Sequence, residues 1–93
     1  MKRLEIIHLR LTAGSLDDLV EDIRRSATAG SQTAEITIFQ HVGVATDLGI
    51  HILHETDDSV DLHSSLGMSL ASALKEHGMV EHSVWIERND EVV

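Results

Sequence analysis

Apolar and polar residues alternate at the start of the chain. In "LEIIHLRLT", residues 4–12, Ile7, Leu9 and Leu11 interleave with Ile6, His8 and Arg10. A period of two is that of a β-strand. After "AGS" the period lengthens: Leu16, Leu19, Val20, Ile23 and Ala27 recur at spacings of three and four, the apolar stripe of a helix. Ser15 is placed to cap that helix, with Asp18 three residues on. Acids gather at its start (Asp17, Asp18, Glu21, Asp22), Arg24 and Arg25 lie toward its end, and Gly30 closes it. The period of two returns in "AEITIFQHV", residues 34–42, and in "LGIHILHE", residues 48–55, which predicts a hairpin through "GVATD". A second helix is expected from a cap at Ser64 or Ser65 to about His77, with Leu66, Leu70, Ala73 and Leu74 inward and Gly78 as its stop. "MVEHSVWIE", residues 79–87, is the last predicted strand. "TDDSVD" reads as a polar loop, and "RNDEVV", residues 88–93, as a mobile tail.

The order β-α-β-β-α-β predicts a single α+β domain over residues 1–93. Its four-stranded antiparallel sheet, in the order 4-1-3-2, carries both helices on one face, which is the ferredoxin-like plan. Strand alternation then sorts the side chains. Ile7, Leu9, Leu11, Ala34, Ile36, Ile38, Leu48, Ile50, Ile52, Val80, Val84 and Ile86 should face the helices. The other face receives Ile6, His8, Arg10, Thr37, Phe39, His41, His51, Leu53, Glu55, Ser83, Trp85 and Glu87. That face holds the only Phe and the only Trp of the chain. A water-bathed sheet face should be mostly polar, so this one calls for a cover. The predicted elements supply none, and the expected cover is a second copy, giving a homodimer with facing sheets.

Composition narrows the function. The formal net charge of −9 opposes a nucleic-acid partner. No apolar run approaches the roughly 18 residues of a membrane span, and the alternating start does not resemble a signal peptide, so the expectation is a cytoplasmic protein without membrane contact. The chain has no cysteine, which excludes disulfides, thiolate nucleophiles and thiolate metal sites. No motif asks for a cofactor. Seven histidines are many for 93 residues, and protonating them all would cancel seven of the nine net negative charges.

The densest titratable stretch is "HILHETDDSVDLH", residues 51–63. On a strand His51 and His54 point to opposite faces and cannot share a metal. "HILHE" lacks the spacing of the zinc-peptidase motif, and Asp57, Asp58 and Asp61 lack the glycine and terminal glutamate of a calcium loop. His51 and Glu55 keep their interest because they share the open face. There strand 1 should set His8 beside both His51 and Trp85, a group suited to stacking on a planar ligand and to moving a proton. Phe39, His41 and Leu53 would line the same surface. Arg10 could hold a carboxylate or phenolate, or pair across strands with Glu55 or Glu87. His8, His41 and His51 could meet a metal only if they converge in space. His63 lies near the start of helix 2, His77 near its end, where it suits the dipole, and His54 and His82 fall near strand ends on the helix side. Equally open is a plain subunit contact with no ligand.

In element order, length and the character of "IIHLRL" and "HSVWIE", the chain resembles the dimeric α+β barrel superfamily over nearly all of residues 4–88. That superfamily includes the antibiotic biosynthesis monooxygenase-like proteins, haem-degrading monooxygenases and small stress-responsive barrels. The resemblance implies a homodimer packed through its sheets, with a ligand cavity between sheet and helices. The cofactor-free monooxygenases often use Asn, Trp, Tyr or Arg; here there is no Tyr, and the only Asn is Asn89. The haem-degrading relatives use a helix histidine, a tryptophan and an asparagine; His77 and Trp85 match two of these. The expected function is binding of a small aromatic or hydrophobic molecule, with monooxygenase-like chemistry carried by His8, His51 and Trp85. The alternatives are a non-catalytic regulatory module using the open face as its interface, and a metal- or haem-binding protein.

Overall fold

The computed structural model describes residues 2–12, 14–30, 34–55 and 64–88. The "TDDSVD" loop, His63 and residues 89–93 of the expected tail lie outside the described residues, as does the side chain of Ala27. Six elements follow in the expected order: β1 Lys2–Leu11, α1 Leu16–Gly30, β2 Ala34–Gln40, β3 Asp47–Glu55, α2 Ser65–Leu74 and β4 Gly78–Ile86. All strand pairs are antiparallel, and the sheet order is β2-β3-β1-β4. This is the ferredoxin-like α+β fold that the alternation predicts.

Local chemistry explains the element ends. The Ser15 hydroxyl accepts the Asp18 N–H at 3.5 Å and its carbonyl accepts the Leu19 N–H at 3.1 Å, which starts α1. Gly14 at φ 99° supplies the left-handed turn before it. Ser64 caps α2 by accepting the Gly67 N–H at 2.9 Å. α2 ends at Leu74 rather than near His77, because the His77 N–H turns back to the Leu74 carbonyl at 2.9 Å. Gly78 is therefore no helix stop. It begins β4 opposite Leu11, where a Cβ would overlap the Arg10 carbonyl oxygen. β2 stops at Gln40, two residues short of the expectation, so His41 belongs to the turn and not to the strand. Its Nδ1 accepts the N–H groups of Gly43 at 2.9 Å and Val44 at 3.0 Å.

The core lies between sheet and helices. Ile7, Leu9, Leu48, Ile50 and Ile52 from the sheet meet Leu19, Ile23, Leu70 and Leu74 from the helices. Ile50 is fully buried on a central strand, so Ile50→Val is expected to cost about 1 kcal/mol in a urea denaturation series. A change under a few tenths would mean that the strand is less tightly packed than described.

Candidate functional site

Register decides which open-face residues meet. His8 stands opposite Gly49 on β3 and Glu81 on β4, and Arg10 opposite Asp47 and Met79. Trp85 stands opposite Leu4, four residues along β1 from His8, a separation of about 13 Å at strand rise. The expected His8–Trp85 contact is therefore corrected: the register runs β4 antiparallel past β1 with Trp85 at the far end. Leu53 and Glu55 join that far end, opposite Leu4 and Lys2. Trp85 is 60% exposed, and its indole N–H donates to the Ser83 hydroxyl at 3.0 Å.

The near end is polar and organised around Asp47, which begins β3 and does not belong to the "GVATD" turn. Its side chain is 5% exposed. Oδ2 accepts from His8 Nε2 at 3.1 Å and Oδ1 from Arg10 Nε at 3.4 Å. Arg10 thus pairs with Asp47 instead of Glu55 or Glu87. Burial alone would raise the Asp47 pKa; the His8 and Arg10 hydrogen bonds and charges outweigh it and hold the carboxyl below its ordinary value. Beside this group the Phe39 and His51 rings meet in a tilted pair, centroids 4.6 Å apart.

Gly49 lies at the centre of these residues, opposite both His8 and Phe39. A Cβ there would meet nothing closer than His51 Nε2 at 3.8 Å, and φ is not positive. Neither crowding nor backbone conformation demands glycine. Its effect is an open floor, a depression of about 210 Å³ lined by His8, Phe39, Gln40, His41, Asp47 and Leu48 as well. An enclosed apolar cavity of about 150 Å³ takes benzene, so a single ring fits here. An adjoining hollow of about 120 Å³ is lined by His8, Arg10, Met79, Val80 and Glu81. Glycine inside a strand often marks such a close approach by another group.

A second cluster occupies the helix side, where sequence reasoning missed it. Glu5 is fully buried. Its carboxylate accepts from His54 Nε2 at 2.6 Å, His82 Nε2 at 3.1 Å, the Ser64 N–H at 3.0 Å and the Ser64 hydroxyl. A Cβ at Gly67 would overlap this carboxylate, so the first turn of α2 rests directly on it. The signal was present: Glu5, His54 and His82 share the parity of the core residues on three adjacent strands. The two histidines approach different carboxylate oxygens. Among the described residues no group of three or more His, Cys, Asp or Glu is arranged to hold a metal ion, and His8, His41 and His51 do not converge on one.

Burial would raise the Glu5 pKa, but hydrogen bonds from Ser64 and His54 prevail and lower it from the ordinary 4.5. A lowered folded-state pKa means that the folded chain binds fewer protons than the unfolded one in acid. The contribution is complete above about pH 4.5 and is lost as pH falls through the folded value. Asp47 acts in the same direction below its ordinary 3.8. Urea midpoints should therefore fall steeply as pH drops below about 4.5, and less steeply in Glu5→Gln; an equal slope in both would remove Glu5 from this role.

No protein-family model matches the chain, and comparison with curated proteins finds no match. Among solved structures, Rv0793 from Mycobacterium tuberculosis is similar, with a TM-score of 0.67 over 99% of this chain and 100% of that one. Sequence identity is 10%. The likeness is one of fold. It supports the ferredoxin-like architecture and carries no residue roles with it. No helix among the described residues is long and apolar enough to cross a membrane.

Proposed function

We propose that the protein is a homodimer that binds a small aromatic or hydrophobic molecule on its open sheet face, over Gly49. The observation that carries this reading is the glycine itself. A central-strand residue with room for a side chain lacks one where His8, Phe39 and Asp47 converge. Apolar walls with a few placed polar groups are the usual make-up of a ligand site. The groove between α1 and α2, of similar volume at about 180 Å³, is lined by Leu19, Ile23, Leu70 and Leu74 and also by Asp22, Glu76 and His77, but it lies off the open face that holds the Asp47–His8 pair.

The two ends of the face take different parts in this reading. The far end, with Trp85 beside Leu4 and Leu53, is the subunit contact; the resemblance to dimeric α+β barrels implies packing through the sheets, although it implies a ligand cavity between sheet and helices and not on the open face. The near end is the ligand site. In its neutral form His8 donates Nε2–H to Asp47, which leaves Nδ1 as an acceptor on a ring that lines the depression. If the ligand loses a proton before it reacts, His8 is the base within reach. His51 then serves as a stacking partner through Phe39, and Trp85 is removed from the chemistry.

Native mass spectrometry of the purified protein tests the assembly. A dimer is expected, with any retained organic mass identifying the ligand. A monomer would contradict sheet-to-sheet pairing.

A further inference from the structure

We infer that the molecule held over Gly49 is a planar carboxylic acid, bound as its carboxylate with that group toward Arg10; this rests on the binding site proposed above. Asp47 is the one carboxylate lining the depression, and both its oxygens are committed, one to His8 and one to Arg10. Being nearly buried, it turns little acceptor surface toward a ligand. Arg10 uses only Nε in that pair and is 61% exposed. Its two terminal nitrogens form a fork that matches a carboxylate. Arg10 is a diagonal neighbour of Gly49 across β1 and β3, about 7–8 Å away by strand geometry, within reach of a substituent on a ring lying over the floor.

The turn fixes a second donor. His41 Nδ1 accepts two backbone N–H groups, so the ring proton of the neutral imidazole sits on Nε2. His41 lines the depression and offers an N–H, not a lone pair. Phe39 supplies the apolar wall. Glu81, on β4, stands opposite His8 and shares the adjoining hollow with Arg10. On a chain of net charge −9, the depression presents an apolar floor and the His41 ring, and the Arg10 fork stands in the hollow that adjoins it across His8. An uncharged ring would leave that fork to solvent.

Calorimetric titration of the whole protein with benzoate and with its uncharged isostere benzamide tests this, using wild type, Arg10→Gln and Gly49→Val. Circular dichroism checks that each variant is folded. Benzoate is expected to bind about tenfold or more tightly than benzamide, Arg10→Gln to erase the difference, and Gly49→Val to abolish binding of both. Equal binding of the two compounds that Gly49→Val still abolishes would overturn the acid preference and leave the site standing. Binding that ignores Gly49→Val, or none at millimolar benzoate and benzamide, would overturn this inference and the proposed site together.

Discussion

Glu5→Ala is expected to destabilise the fold by about 3–5 kcal/mol, measured by urea denaturation at pH 7. The residue is fully buried and gathers four donors from β3, β4 and the start of α2. Truncation removes the acceptor that those donors share and opens a cavity beneath α2. Small domains of this size have only about 5–15 kcal/mol in hand, so the variant should sit near its unfolding threshold. Glu5→Gln keeps the volume and one acceptor oxygen, and should cost about half as much. Gly67→Ala probes the same contact from the helix, since the added methyl must displace the Glu5 carboxylate or the first turn of α2. A loss below about 1 kcal/mol in Glu5→Ala would mean that the carboxylate is not the anchor of α2.

Trp85→Ala is expected to leave the folded protomer within about 0.5 kcal/mol of wild type, because the indole is 60% exposed in the single chain. Its effect should appear in assembly. A central aromatic in a subunit contact contributes about 2 kcal/mol or more, so the dimer should weaken roughly thirtyfold or beyond. Sedimentation velocity across a dilution series would reveal a shift toward monomer. Unchanged sedimentation would move the subunit contact away from this end of the sheet. His8→Ala, at the other end, should leave assembly intact and alter ligand binding.

Much of the fold was legible because its signals are local. Strand alternation set the parity of His8, His51, Phe39 and Trp85, and spacings of three and four set both helices. Parity, however, only tells which face a residue shares. It leaves open how far apart two residues on that face stand, and so the sequence placed His8 beside Trp85 when the register puts Leu4 there. The turn after β2 was misread for a physical reason: His41 continues the alternation, yet its ring is drawn back to hold the Gly43 and Val44 N–H groups. Asp47 stands at the boundary of turn and strand, and its pairing with His8 and Arg10 depends on a register that alternation does not carry. Glu5 extends the core parity of Ile7 and Leu9 toward the start of β1, and no sequence spacing shows that it meets His54 and His82 there. An acid at core parity, with histidines at the same parity on both neighbouring strands, is a readable sign of a buried hydrogen-bonded cluster.

The ligand site on the open face is the central claim, and amide chemical-shift mapping with a set of small aromatic fragments tests it most directly. Shifts are expected to cluster on His8, on Phe39 to His41 and on Asp47 to His51, and to vanish in Gly49→Val. Shifts gathered instead on Leu19, Ile23, Leu70 and Leu74 would place binding in the groove between the helices and contradict the account.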